Sequence, residues 1–257
     1  MKIKQIIEAL ETLAPLELQE SYDNAGVQVW GADDPQLECT GVLLSLDITQ
    51  DVVAEALAKG CNMIVSHHPL IFSPLRRVTD ESWQQRTVKA AIRGGLVLYA
   101  AHTNLDNAPE GVNQKISQML DLQDVQPLET GRIGTLPHQM SEPEFVALVG
   151  RVFKSVGVHH SVFTGREIRR VALCGGSGSF LAEAARSAGA DAFLTGEMSY
   201  HHYFDSEGML LVAPGHFESE QYTVDLLCDY LHKKFPTLSA ESCECCTNAM
   251  KTSVVTI

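Results

Sequence analysis

Short apolar runs alternate with amphipathic stretches along the first half of the chain. Apolar residues recur at helical spacing from Ile3 to Leu13 and predict a helix that ends near Pro15. The pattern then predicts strands over 41–47, 62–66 and 95–101, and helices over 50–59, 82–93 and 110–120. Strands that alternate with helices indicate a mainly parallel sheet covered by helices on both faces.

Residues 122–140 interrupt this alternation with Pro127, Gly131, Gly134 and Pro137, and we place a lobe boundary there. A second series follows, with helices over 142–156, 179–188 and 217–235 and strands near 160–164, 169–174, 191–195 and 209–213. Residues 253–257 have the composition of an additional edge strand.

These elements predict an α/β protein with two lobes, each a mainly parallel or mixed sheet flanked by helices. We expect lobe 1 to span 1–126, with 217–257 packing back on it, and lobe 2 to span 127–216.

Composition and charge narrow the class of protein. With 45% hydrophobic and 20% charged residues, the chain is typical of a globular protein, and it has no apolar run near the roughly 20 residues of a membrane span. The N-terminus lacks the features of a secretory signal, so we expect a cytoplasmic protein. A net charge of −13 disfavours nucleic-acid binding, and we interpret the basic cluster at 166–170 as a solvated strand edge.

Three apolar runs end in imidazole or carboxylate side chains, where α/β proteins place their chemistry. His67 and His68 follow the run 62–65, His102 and Asp106 follow 96–100, and His216 and Glu220 follow 209–213. This repetition is the strongest functional signal in the chain.

Imidazole and carboxylate are the ligands that borderline divalent cations prefer. In an extended backbone His67 and His68 would point to opposite sides, so each suits a different ion. His216 and Glu220 are spaced i, i+4 and share a helix face, while Asp106 and Glu220 are carboxylates of the kind that bridges two ions. Taken singly, these residues have plainer interpretations as caps, turn formers or solvent-facing charges. Together they favour a metal site.

Six segments resemble the Nif-three-like family, whose members are also known as GTP cyclohydrolase type-2 homologues. They are Ser66–Phe72, His102–Asp106 and Gly215–Glu220, supported by Tyr22–Gln28, Cys174–Ser179 and Thr195–His201. The segments span residues 22–220 in family order, and the chain is similar to the short bacterial form without a central insertion.

The resemblance implies a two-lobed α/β protein with a dinuclear metal centre between the lobes and assembly into a ring-shaped homohexamer. It implies as metal ligands His67, His68, Asp106, His216 and Glu220. His102 matches a family histidine that lines the same site, where it would bind metal or hydrogen-bond a bound water.

Residues around these ligands are candidates for further roles. The glycine-rich stretch 175–179 is either a phosphate-binding loop or a tight strand-to-helix turn. If strand 191–195 neighbours strand 209–213, Glu197 and His201 face the metals, and we predict His201, with His102, to be catalytic. We interpret His202 as a surface residue, and His159 and His160 as structural.

Two other features complete the set. Asp23 and Asn24 form a turn that we expect to line the site. Cys243, Cys245 and Cys246 match no standard zinc spacing, and we interpret them as reduced thiols on a tail.

We predict a hydrolase that uses two divalent ions, zinc, iron, manganese or nickel, to activate water against a nucleotide or related phosphorylated small molecule. The alternatives are a metal-delivery protein without turnover and a scaffold braced by metals. An open coordination position would favour the hydrolase.

Overall fold

The computed structural model describes residues 1–253, so most of the edge strand expected over 253–257 lies outside the described residues. The helices are α1 Ile3–Leu13, α2 Gln50–Ala58, α3 Trp83–Arg93, α4 Thr103–Asn107, α5 Val112–Met119, α6 Glu142–Val152, α7 Ala182–Ser187, α8 His216–Glu220 and α9 Tyr222–Lys234. The strands are β1 Gly26–Trp30, β2 Val42–Ser45, β3 Met63–Ser66, β4 Val97–Ala100, β5 Gln123–Leu128, β6 Gly131–Ser141, β7 His159–His160, β8 Glu167–Cys174, β9 Ala192–Thr195, β10 Leu210–Ala213 and β11 Ala240–Ser242.

The chain divides into two compact units. Unit 1 comprises Met1–Gly111 and Thr223–Asn248, and unit 2 comprises Val112–Tyr222 together with the described residues 249–253. The first boundary lies before α5 rather than at 126, because α5 packs on β6 and β8 and β5 pairs with β6. Both elements therefore belong to unit 2.

Unit 1 contains a five-stranded sheet in the order β1-β4-β3-β2-β11. Four of the five strands, β4, β3, β2 and β11, are parallel, as the alternation of strands and helices predicted. The fifth, β1, pairs antiparallel with β4 at one edge. Every residue of β2, β3 and β4 is buried, which explains their unbroken apolar runs. The edge strands β1 and β11 were not predicted, because their residues are only partly buried and form no unbroken apolar run.

Side-chain caps begin the two central helices of unit 1. The hydroxyl of Thr49 accepts a hydrogen bond from the Val52 amide at the start of α2, and Ser82 accepts one from Gln85 at the start of α3. After α2, Gly60 takes a left-handed conformation with φ +72°, which ends the helix as predicted. These caps set where the chain turns back towards β3 and β4.

Unit 2 contains a six-stranded sheet in the order β5-β6-β8-β9-β10-β7. Strands β8, β9 and β10 are parallel, and the other pairings are antiparallel. The expected strand near 160–164 is shorter and earlier than predicted, since only His159 and His160 pair with β10. The two histidines thus have the structural role expected of them.

The stretch 122–140, where we placed a lobe boundary, forms most of a hairpin of β5 and β6. Glu129, with φ +52°, and Thr130 connect β5 to β6 in a two-residue turn. Pro127 is tolerated because β5 is an edge strand. The prolines and glycines that suggested a linker are compatible with a strand pair at the rim of the sheet.

The cysteine-bearing tail packs on α2. The Glu55 carboxylate accepts hydrogen bonds from the amides of Glu244 at 2.8 Å and Cys245 at 3.0 Å. Burial raises the pKa of the Cys243 thiol to about 11, and a hydrogen bond to Glu55 together with burial raises that of Cys245 to about 11. Both thiols are therefore protonated at neutral pH and poor nucleophiles. All seven cysteines are reduced.

Among residues 1–253, no helix combines the length and the apolar character needed to cross a bilayer.

Candidate metal centre

The histidine pair of unit 1 extends the parallel ladder beyond β3. The amide of His67 donates to the carbonyl of Ser45 at 3.3 Å, and the amide of His68 donates to Leu46 at 2.9 Å. Strand β4 is the other neighbour of β3 and runs parallel to it. His102 follows β4 by two residues and therefore lies at the same end of the sheet as the histidine pair. The sheet therefore brings together three histidines that are far apart in sequence.

The three imidazoles form one compact cluster, which we call the imidazole cluster. The ring centroids of His67 and His68 are 5.0 Å apart, and those of His102 lie 5.3 Å from His67 and 5.6 Å from His68. One ligand nitrogen from each ring lies within 4.8 Å of the others, so the group could hold a metal ion. His67 and His68 are adjacent in sequence and both belong to this cluster, while the assignment of each to a different ion stays a prediction.

Each imidazole is oriented through its Nδ1 atom. Nδ1 of His67 donates to the carbonyl of Ala101 at 2.8 Å, Nδ1 of His68 lies 2.7 Å from Oδ1 of Asp47, and Nδ1 of His102 lies 2.7 Å from Oδ1 of Asp23. A carbonyl or carboxylate behind Nδ1 holds the proton there and leaves the Nε2 lone pair for a cation. This is the arrangement that histidines have in metal sites.

Asp106 lies near the buried His67. It lies on α4, four residues after His102, and its Oδ1 is 3.8 Å from Nε2 of His67. Since Nδ1 of His67 donates to the Ala101 carbonyl, Nε2 is the ring nitrogen that faces this carboxylate. Metal–nitrogen and metal–oxygen bonds of roughly 2.0–2.2 Å allow one ion to contact both atoms at that separation. The donor set therefore fits a divalent ion.

The carboxylate of Asp23 lies behind the ring of His102 in the imidazole cluster. Burial raises its pKa, but hydrogen bonds from His102 and Thr103 outweigh this effect and lower the pKa to about 2. The amide of Thr103 donates to Oδ2 at 3.0 Å and its hydroxyl at 2.5 Å. Asp23 is thus anionic at neutral pH and fixes the ring of His102, which gives it the site-lining role expected from its turn.

Unit 2 carries a second group of candidate metal ligands at the end of β10. His216 begins α8, and its Nε2 lies 3.0 Å from Oε2 of Glu220, one turn further along. Its Nδ1 lies 3.2 Å from Oε1 of Glu197, which follows β9, the parallel neighbour of β10. The plainer interpretation of Glu220 as a solvent-facing charge was wrong, since only 4% of its surface is exposed.

Glycines in unit 2 pack directly against α8. A Cβ atom at Gly176 would lie 3.0 Å from Cδ of Glu220 and closer still to Oε1, and one at Gly196 would lie 2.5 Å from Oγ of Ser219. The amide of Gly176 donates to that same hydroxyl at 3.0 Å. The absence of a Cβ atom at 176 and 196 thus lets these two glycines pack against Glu220 and Ser219 of α8.

The same contacts favour the tight-turn interpretation of residues 175–179 over a phosphate cradle. The amide of Gly175 donates to Oδ1 of Asn113 and that of Gly178 to Oγ1 of Thr195, both at 2.8 Å. Together with Gly176, three of the loop's amides are engaged within unit 2, where they hold the turn rather than a ligand.

His201 and His202 lie on an exposed 3-10 segment, Tyr200–Ser206. The ring centroid of His201 lies 5.5 Å from that of Tyr200 and 6.5 Å from that of Phe204. Nδ1 of His202 lies 3.2 Å from the Ser199 hydroxyl. His202 is a surface residue, as expected. The catalytic role predicted for His201 stays a prediction.

Asp47 is a residue of the site that the sequence analysis missed. It was assigned to the end of a buried strand, yet its carboxylate orients His68. The signal was present, because Asp47 is another polar residue directly after an apolar run. Recognising it requires knowing that β2 lies beside β3.

Replacing Asp47 with alanine should lower divalent-metal affinity by roughly 10- to 100-fold, the usual effect of losing a carboxylate behind a ligand histidine. The His68 ring would remain but lose its orientation. Competition with a chelating dye measures the change, and Asp51→Ala, an exposed carboxylate on α2, is the control. Equal affinity in the two variants would show that Asp47 does not act on the metal.

Comparisons with known proteins agree with this fold. The sequence profile of the Duf34/NIF3 (NGG1p interacting factor 3) family matches residues 1–252. A "GTP cyclohydrolase 1 type 2 homolog" from Lactococcus lactis is 35% identical over 243 residues, which cover 90% of this chain and 91% of that protein.

Two solved structures share the fold. A Bacillus cereus protein related to NIF3 superposes with a TM-score of 0.89 at 21% identity, covering 98% of this chain and 99% of the other. A hypothetical protein from Staphylococcus aureus superposes with a TM-score of 0.87 at 26% identity, again covering 98% of this chain and 99% of the other. The match of the profile over nearly the whole length, with the histidine clusters at its strand ends, shows that this chain belongs to the Duf34/NIF3 family.

Proposed function

We propose that the protein is a metal-dependent hydrolase that acts on a nucleotide or a related phosphorylated small molecule. We propose as its metal ligands the five residues that the sequence resemblance implied, which are His67, His68, Asp106, His216 and Glu220. The observation that carries the proposal is the imidazole cluster, in which every Nδ1 has a carbonyl or carboxylate behind it. Such outer partners are typical of ligand histidines.

Divalent ions bound by these residues would supply Lewis acidity and hydroxide at neutral pH. The chain's own groups would orient the reactants and move protons. Anionic Asp23 holds the proton of His102 on Nδ1, so Nε2 of His102 is the acceptor suited to a proton from the attacking water. We propose His201 as the donor of a proton to the leaving group, in keeping with its motif.

The substrate class is proposed from the relatives. Several bear the name GTP cyclohydrolase 1 type 2 homolog, which makes GTP the first nucleotide to test. Mixed nitrogen and oxygen ligands suit zinc, iron, manganese and nickel, so each metal has to be tested in turn. The hexamer implied by the resemblance stays a prediction.

The test begins with metal analysis of the purified protein, followed by chelation and a hydrolysis screen of nucleotides with each metal restored. We expect hydrolysis to disappear on chelation and to return with at least one of the four metals. Full activity of the metal-free protein would refute the hydrolase mechanism. Metal that transfers readily to an apo-acceptor, without turnover of any nucleotide, would instead identify a delivery protein.

A further inference from the structure

Two exposed aromatic side chains lie side by side in unit 1, and we call them the aromatic pair. Tyr22 and Phe72 have ring centroids 6.4 Å apart with their planes at 64°, and 62% and 48% of their surfaces are exposed. Apolar surface left in water forgoes about 25 cal/mol per Å² of stabilisation. A cluster of such residues therefore marks a binding surface more often than an isolated one does.

The aromatic pair is continuous with the imidazole cluster. The ring of Phe72 lies 6.0 Å from that of His102, with the two planes perpendicular. Phe72 is also only four residues after His68 in the same strand-end loop. A molecule that contacts the pair would thus lie next to the candidate metal ligands of unit 1.

Hydrogen bonds tie together the two loops that carry the pair. Nδ2 of Asn24 donates to the carbonyl of Ile71 at 2.6 Å, and Oε1 of Gln28 accepts from the Ile71 amide at 3.1 Å. Nε2 of Gln28 donates to the carbonyl of Asn24 at 2.5 Å, which closes the network. The backbone beside each ring is therefore held before any ligand arrives, which reduces the entropic cost of binding.

We propose that Tyr22 and Phe72 form the contact surface for the planar heteroaromatic ring of the substrate, such as a nucleobase. This inference rests on the proposed function, because it assumes that the phosphorylated end of the same molecule is bound through the metals. Aromatic side chains suit such a ring because every base has a π-face to stack, whatever its hydrogen-bonding edge. The pair would then select ring-bearing phosphates over inorganic ones.

The test compares two probes by isothermal titration calorimetry on metal-loaded protein, GTP and inorganic tripolyphosphate, which lacks a ring. The wild-type protein should bind GTP more tightly. Tyr22→Leu and Phe72→Leu should each weaken GTP binding by about 10- to 100-fold, the usual effect of losing a stacking side chain, and leave tripolyphosphate binding unchanged. The control is Trp83→Leu at the start of α3, because Trp83 is 49% exposed and thus matches Phe72.

Several outcomes would overturn the inference. The first is undetectable GTP binding, and the second is equal affinity of the wild type for GTP and tripolyphosphate. The third is a leucine variant whose affinities for GTP and for tripolyphosphate fall by the same factor. A change in oligomeric mass by light scattering in Phe72→Leu would identify the pair as a subunit contact instead. If GTP binds with the expected preference but no nucleotide is hydrolysed with any of the restored metals, the hydrolase proposal fails and the aromatic surface stands.

Discussion

Replacing His68 with alanine is expected to lower divalent-metal affinity by more than the roughly 10- to 100-fold that outer-sphere changes cost, and to abolish metal-dependent hydrolysis. The reason is that the variant removes a ligand nitrogen, whereas Asp47→Ala removes only the group that orients it. The ring of His68 is partly exposed, so its loss should leave the fold intact. Metal content by mass spectrometry and affinity by dye competition measure the effect.

A thermal-unfolding measurement adds a second readout. A ligand that binds only the folded state stabilises it, by about 2.7 kcal/mol at a concentration 100 times the Kd. Added metal should therefore raise the Tm of the wild type and of His138→Ala, an exposed histidine on β6 that serves as the control. It should leave the Tm of His68→Ala nearly unchanged. Equal metal-induced shifts in all three proteins would show that His68 is not a ligand.

Replacing Gly176 with alanine is expected to destabilise unit 2 and displace Glu220. Gly176 has φ +59°, a conformation that costs a non-glycine residue roughly 1–2 kcal/mol. In addition, the new Cβ would overlap the carboxylate of Glu220, which is buried and cannot move into solvent without disturbing α8. The free energy of unfolding should therefore fall by more than the conformational cost alone, and the metal content should fall with it.

Gly189→Ala is the matched control for this variant. Gly189 also has a positive φ, of +76°, but a Cβ there would meet no atom within 4 Å. The Gly189→Ala variant should therefore lose only the roughly 1–2 kcal/mol that a positive φ costs a non-glycine residue, and its metal content should not change. Urea denaturation and metal analysis of both variants separate the two effects. If the free energy of unfolding falls by the same amount in both variants and their metal contents are equal, the close approach of Gly176 to Glu220 does not affect metal binding.

Much of the candidate site could be predicted because local patterns encode strand ends. Buried strands of a parallel sheet are short apolar runs, so the polar residue that follows each run is visible in the sequence. His67, His68, His102 and His216 all appear in that position, and the structure places the first three in one cluster. Their ligand roles rest on chemistry and resemblance and stay predictions.

The missed features share a physical cause, which is dependence on partners far along the chain. Asp47 orients His68 only because β2 pairs with β3, and the hairpin of β5 and β6 is stabilised by pairing with β8. Prolines and glycines within that hairpin suggested a linker, since their preferences are local while strand pairing is not. Likewise, β11 exists because residues 240–242 dock beside β2, nearly 200 residues earlier.

The sequence by itself determined the α/β class, the alternation of buried strands and helices, and the strand ends where imidazoles and carboxylates occur. Periodicity and composition act over a few residues, and that is sufficient to specify such elements. Only the tertiary structure decided which groups lie behind the imidazoles, namely Asp47, Asp23, Glu197 and the Ala101 carbonyl, and why glycine is required at 176. Those are properties of contacts between distant segments, which depend on sheet order and close packing rather than on local sequence.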